Sequence, residues 1–103
     1  MAEELQTRRQ QIVELLARGP WGFEELRREL AVPVRLLEQD LHHVERSLRA
    51  DGRRLLVEAA GCDACGFTFE GREARHFYAP SRCPRCRSER IRDPRFSIPG
   101  AGS

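Results

Sequence analysis

Two cysteine pairs of identical spacing constrain this chain more than any other feature: Cys62-x2-Cys65 and Cys83-x2-Cys86, with seventeen residues between the pairs. Two residues between cysteines let a tight turn aim both sulfurs at one point. A pair of such turns supplies the tetrahedral four-sulfur shell that zinc accepts. Gly66 directly follows the first pair and suits a turn that needs positive φ. Arg87 holds the matching place after the second, so that turn must differ or carry strain.

Other chemistries fit the pattern less well. The chain opens without an apolar export segment, and cysteines two residues apart bridge poorly, so two disulfides are not expected. A redox Cys-x-x-Cys needs one exposed pair at a helix start, whereas both pairs here lie in strand-rich sequence. Iron fits the same four-sulfur geometry and spacing does not distinguish it; zinc is the expectation because nothing points to electron transfer. With all four positions filled by protein, no site is left for substrate or activated water, and the metal is expected to be structural. Its binding, on the order of 10–16 kcal/mol in comparable small sites, would replace the core that residues 61–92 lack. Arg82, Arg85 and Arg87 flank the second turn and can either offset the charge of the zinc-tetrathiolate group or bind a partner. His76 lies between the pairs and is read as a strand residue, since four cysteines already complete the shell.

A chain of 103 residues has room for one compact domain with a small appendage, not for two independent cores. The balance of 33% charged and 40% hydrophobic residues belongs to a folded protein without membrane spans. Without a signal or transit segment, a cytoplasmic location is expected. All 18 basic residues are arginine, and the formal charge is +2. Four thiolates and one zinc ion would bring it to 0, which argues against a strongly basic, nonspecific nucleic-acid binder.

The first sixty residues read as helices. Thr7-Arg8-Arg9-Gln10 has the form of a capping box opening a helix to about Arg18, with Ile12, Leu15 and Leu16 as its apolar stripe and Gly19-Pro20 as its end. Gly22, with Glu25 three residues on, opens a short second helix with Phe23, Leu26 and Leu30 apolar, and Trp21 is expected as a core anchor between helices. After Ala31-Val32, Pro33 suits the first turn of a third helix in which Val34, Leu37, Leu41, Val44 and Leu48 recur at helical spacing. Asp51-Gly52 stops it. A helix of about eight residues, a short break and a longer helix match a helix-turn-helix, whose second helix usually enters the major groove. Opposite the apolar stripe lie Arg35, Gln39, His42 and Arg46, with Arg49 nearby, all able to reach base edges or phosphates. Glu38, Asp40 and Glu45 lie at the flanks of that face and would weaken attraction to DNA. Arg53 and Arg54 follow as sequence-independent contacts.

Residues 53–60 read as a strand with Leu55, Val57 and Ala59 on one side, leading into Cys62. Phe67-Thr68-Phe69, His76-Phe77-Tyr78 and Phe96-Ser97-Ile98 read as further short strands, followed by a frayed tail. The expected fold class is α+β, with a helical domain over 1–60, a four-cysteine zinc ribbon over 61–92, and a returning strand and tail over 93–103.

Helix, helix, longer helix and then a strand, followed by Ser81-Arg-Cys-Pro-Arg-Cys-Arg-Ser-Glu-Arg-Ile91 and Pro94-Arg95-Phe96, resembles the prokaryotic transcriptional regulators in which a winged helix-turn-helix is fused to a rubredoxin-like zinc ribbon. The resemblance spans roughly residues 7–98. It implies a ribbon in the wing position, three helices plus a small antiparallel sheet, and Leu55–Ala60 pairing with Phe96–Ile98. It implies Cys62, Cys65, Cys83 and Cys86 as ligands to one structural zinc and residues 23–46 as the helix-turn-helix. Its functional implication is a regulator of transcription binding double-stranded DNA, with a homodimer or a protein of the transcription machinery as further partners. The alternative is a protein-interaction adaptor, in which both parts are platforms for a larger transcription complex. No enzyme and no small-molecule substrate are expected: there is no open metal site, no Ser/His/Asp arrangement and no phosphate-binding glycine loop.

Overall fold

Apolar residues at helical spacing build three helices, α1 (Ala2–Arg18), α2 (Phe23–Leu30) and α3 (Val34–Ala50), in a computed structural model that describes residues 2–69 and 77–99. Among the described residues five short strands accompany them: β1 (Trp21–Gly22), β2 (Leu56–Glu58), β3 (Gly61–Cys62), β4 (Ile91–Arg92) and β5 (Arg95–Ser97). They form a three-stranded antiparallel sheet of order β1-β5-β2 and a two-stranded antiparallel pair, β3-β4. This is the expected α+β mixture of three helices with small antiparallel sheets. Among the described residues no helix is long and apolar enough to cross a membrane.

The core of this helical head lies among the three helices and β5. Ile12 and Leu16 of α1, Phe23 and Leu26 of α2, and Leu37, Leu41, Val44 and Leu48 of α3 close around Phe96. Burying each such side chain contributes about 2 kcal/mol. Val34, expected in the α3 stripe, is 38% exposed at the first residue of the helix. The sequence 53–60 does not form one strand. Leu55 is buried, but Leu56, Val57 and Glu58 are all exposed, because β2 is an edge strand that hydrogen-bonds only to β5. Its pairing, Val57 with Phe96 and Leu56 with Ser97, is the one implied by the resemblance.

Helix boundaries follow their capping chemistry. The Thr7–Gln10 box is not used: α1 starts at Ala2, because Ala-Glu-Glu-Leu-Gln is itself strongly helix-forming. The α2 start is as expected, with the Gly22 N–H donating to the Glu25 carboxylate at 2.8 Å. Two further orphan donors of α2 are satisfied from the far end of the chain: Phe23 N–H by the Pro94 carbonyl and Glu24 N–H by the Asp93 carboxylate, both at 3.1 Å. At its other end, Ala31 and Val32 donate to Arg28 and Arg27, closing a Schellman turn with Ala31 at φ 54°. Pro33 precedes α3 as its N-cap rather than lying in its first turn. The end of α3 repeats the Schellman pattern with Gly52 at φ 72°, as Asp51-Gly52 predicts.

Trp21 packs against the core as expected, half-buried in β1 and opposite Phe96. Other sequence expectations shift. Phe67–Phe69 reduces to a single bridge from Thr68 to Gly61, while β1 and β4 were not anticipated. Phe77 and Tyr78 are not in a strand, and His76, like the last residues of the tail, lies outside the described residues. Phe77 belongs by sequence to the 61–92 stretch but packs into the head, 5.5 Å from the Phe96 ring in an edge-on contact. Asp40, expected on a solvent flank of α3, is 1% exposed. That flank faces α1, and the Asp40 carboxylate is ion-paired to Arg8 and, at 3.0 Å, to Arg9.

Candidate metal centre

The strand pair β3-β4 brings two tight turns to one point. The first turn closes with Gly66 N–H to Cys62 carbonyl at 2.9 Å, the second with Arg87 N–H to Cys83 carbonyl at 2.8 Å. The N–H of each leading cysteine also donates to a carbonyl five residues on, Cys62 to Phe67 and Cys83 to Ser88. The two turns are thus near copies in hydrogen bonding. Gly66 has φ 81° and Arg87 φ 62°, so the second turn does not differ in shape and instead carries the strain of an L-residue in the left-handed region.

All four sulfurs lie within 4.8 Å of one another, with Cys62 Sγ to Cys86 Sγ at 3.5 Å and Cys65 Sγ to Cys83 Sγ at 3.6 Å. A disulfide would require about 2.0 Å. Sulfurs at the corners of a tetrahedron around zinc, each about 2.3 Å from the metal, stand about 3.8 Å apart. The residues therefore fit a single tetrahedral metal, and all four cysteines are free to ligate it. Cys62 and Cys83 are buried and Cys65 and Cys86 exposed, so each turn contributes one inner and one outer ligand.

The sulfurs differ electrostatically. Burial pushes the Cys83 thiol up, but the N–H groups of Cys86 and Arg85 and the neighbouring sulfurs outweigh it, and its pKa falls to about 7. The Arg85 N–H lies 3.4 Å from that sulfur. For Cys86 a Ser88 N–H favours the thiolate, yet burial and the sulfurs of Cys62, Cys65 and Cys83 prevail and the pKa is pushed up to about 12. Four adjacent sulfurs cannot all ionise without a cation, so metal binding must expel protons.

Comparison with known proteins bears on both halves of the chain. Residues 7–56 match the PF0610-like N-terminal domain, and residues 59–100 match the PF0610 rubredoxin-like zinc beta-ribbon domain. The chain is also similar to protein PF0610 from Pyrococcus furiosus, whose solution NMR structure aligns with a TM-score of 0.71 and 35% identity over 90% of this chain and 89% of that one. The chain belongs to the PF0610-like family. No curated protein matches the sequence. The zinc-ribbon family match and the sulfur tetrahedron together make the PF0610-like centre a structural site for one Zn2+, held by Cys62, Cys65, Cys83 and Cys86. When bound, zinc supplies a fixed cross-link between the two turns; the shell of four protein sulfurs leaves no open position.

The residues expected at the exposed face of α3 in this PF0610-like chain are mostly open to solvent. Arg35, Gln39, Arg46 and Arg49 are exposed, as are Arg53 and Arg54 beyond the helix end, and Arg49 reaches the Glu45 carboxylate at 4.0 Å. His42 is held between two neighbours: its ring stacks on Phe77 at 4.4 Å, and its Nε2 lies 3.5 Å from Glu38. Tyr78, next along the chain, closes a groove of about 460 Å³ with Val34, Arg35, Glu38, Gln39 and His42. The segment leading to the second turn thus abuts the first half of α3. Sequence reasoning missed Phe77 as the residue joining ribbon to head, as well as the Asp93 cap and the Asp40 ion pair. Phe77 carried a local signal, an aromatic in a polar stretch, whereas Asp40 sits in the polar run Glu38-Gln39-Asp40 and carried none; the partners of both lie far along the chain.

Proposed function

We propose that the protein is a DNA-binding regulator of transcription, built as a winged helix-turn-helix whose wing is replaced by the zinc ribbon. The observation that carries this reading is the chain order α1-β1-α2-α3-β2-β5 with sheet order β1-β5-β2, in which β2 and β5 form the wing hairpin and the ribbon is inserted at its tip. In that arrangement α3 is the helix that enters the major groove. Arg35 and Gln39, exposed on its first turns, read base edges. Arg46, Arg49, Arg53 and Arg54 contact phosphates. His42, stacked on Phe77, braces the ribbon and offers only its outer edge to DNA. Selection of labelled genomic fragments with zinc-loaded protein at physiological salt tests the reading, and no enrichment over random DNA would remove it. Arg35→Ala is expected to relax sequence preference, with a loss of about 1–3 kcal/mol of discrimination at one position. Arg53→Ala is expected to weaken binding to all sequences alike.

The groove beside α3 favours a second reading, a protein-interaction adaptor for a larger transcription complex. Val34 and Tyr78 expose apolar surface in it, and the zinc-loaded chain has a formal charge of 0. Stoichiometric retention of a transcription-machinery protein without DNA, lost in Tyr78→Ala, favours the adaptor; retention indifferent to Tyr78 counts against it.

A further inference from the structure

The two metal-binding turns share a backbone conformation but not a residue type at its most demanding position. Gly66 meets the left-handed requirement of the first turn without a Cβ, whereas Arg87 meets the same requirement in the second with a full side chain. A glycine would close the second turn equally well, as the first turn demonstrates. The strain at Arg87 is therefore not explained by the turn, and strain retained in this way marks a position held for its side chain.

That side chain is exposed and in basic company. Arg82, Arg85, Arg87 and Arg90 all face solvent around the second turn, with Glu89 as the lone acid between residues 82 and 90. Arg82 lies 3.7 Å from Glu89; among the described residues Arg85, Arg87 and Arg90 have no ion-pair partner. Backbone N–H groups, Arg85 N–H at Cys83 among them, already serve as hydrogen-bond donors to the sulfurs, so these guanidinium groups are not needed for that task. A guanidinium fork matches phosphate oxygens two at a time, which suits a surface that reads backbone rather than base.

The chain tethers this turn to the groove beside α3. Tyr78 borders the groove with Val34, Arg35 and Gln39, and Cys83 is five residues further on, at most about 17 Å of extended chain. The major groove is about 12 Å wide, so a helix seated in it would bring such a turn within reach of the flanking phosphates.

We infer that the second metal-binding turn is a phosphate-backbone contact for duplex DNA, with Arg87 held in the strained position for its guanidinium group. This rests on the DNA-binding reading above and adds the ribbon as a second contact surface. Fluorescence anisotropy of a labelled duplex, measured against salt with the zinc-loaded full chain, tests it together with thermal melting of the same samples. Arg87→Gly is expected to weaken binding to selected and random duplexes alike by about threefold or more at about 100 mM salt, and to reduce the slope of log Kobs against log salt by about 1. Its Tm should rise, by about 4 °C, because the left-handed strain is relieved. Arg87→Asn, which also tolerates this conformation, should reproduce the binding loss, and Arg85→Ala should lower the slope without raising Tm. Wild-type binding with an unchanged slope in Arg87→Gly overturns the inference while leaving the α3 reading intact. Wild-type protein that binds no duplex at any salt overturns both.

Discussion

The helical head and the ribbon are ordered by different forces. In the head, thirteen buried apolar residues among those described, from all three helices, β5, the turns and one ribbon residue, form a continuous cluster. In the ribbon, the buried side chains among the described residues are Ala60, Phe69, Cys62 and Cys83, with Phe67 edge-on to Phe69 at 5.3 Å. Two phenylalanines and two sulfurs do not bury enough apolar surface to offset the conformational entropy of some thirty residues, at about 1–2 kcal/mol each for the backbone alone. The cross-link through zinc takes the place of a core there. The contrast teaches that the boundary between the parts is set by what holds each one, and Phe77 is where the two meet: encoded in the ribbon, it is stabilised in the head.

Removing the metal should separate the parts most sharply. Chelation, or Cys83→Ser, withdraws an interaction on the order of 10–16 kcal/mol and should melt the ribbon while far-UV circular dichroism still reports helix. The head should lose some stability as well, because β2 and β5 would then be joined by a long open loop instead of a closed one. Acid should act in the same direction. With Cys83 titrating near about 7 and Cys86 near about 12, binding displaces protons at neutral pH. Apparent zinc affinity should therefore fall, by more than about tenfold, between about pH 8 and pH 6. A pH-independent affinity in competitive chelator titrations would contradict that assignment.

Phe77→Ala attacks the junction itself. It should cost about 3 kcal/mol in denaturant unfolding and free the His42 ring, seen as a change in its NMR shifts, while zinc stoichiometry stays at one. A variant that unfolds the ribbon with the junction would mean the two parts are one cooperative unit. Asp40→Ala acts within the head alone and leaves Arg8 and Arg9 without their acceptor. Because both arginines reach solvent, the expected cost is about 2 kcal/mol, below that of a fully buried pair. Ala31→Gly should have the smallest effect and the opposite sign, stabilising the head by up to about 1 kcal/mol by relieving φ 54° at the end of α2.

The same contrast governs what could be read from the sequence. The four ligands of the metal centre were legible, because ligation by closely spaced cysteines is a local pattern and the four sulfurs converge as the spacing requires. Helix positions were legible for the same reason, since Leu37, Leu41, Val44 and Leu48 recur at one period. What escaped depends on partners distant in sequence. Thr7–Gln10 satisfied a local capping rule but was overridden by the helix-forming residues before it. Asp40 looks like a surface acid until α1 brings Arg8 and Arg9 to it, 32 and 31 residues away. The two-residue strands β1 and β4 carry no periodicity to detect, and each exists because of the strand it pairs with, β1 with β5 and β4 with β3. The expectation for Arg87 was open between a different turn and a strained one, a choice only the backbone could settle.

Hydrogen exchange on the full chain before and after zinc removal tests the division most directly. With zinc bound, the amides of Cys62, Gly66, Cys83 and Arg87 should exchange slowly, since each donates to a carbonyl within its own turn of the ribbon. After removal those four should exchange at open-chain rates while amides from Ile12 to Leu16 and Leu41 to Leu48 stay protected. Protection of the four amides in metal-free protein would contradict the claim that zinc, not apolar burial, orders the ribbon.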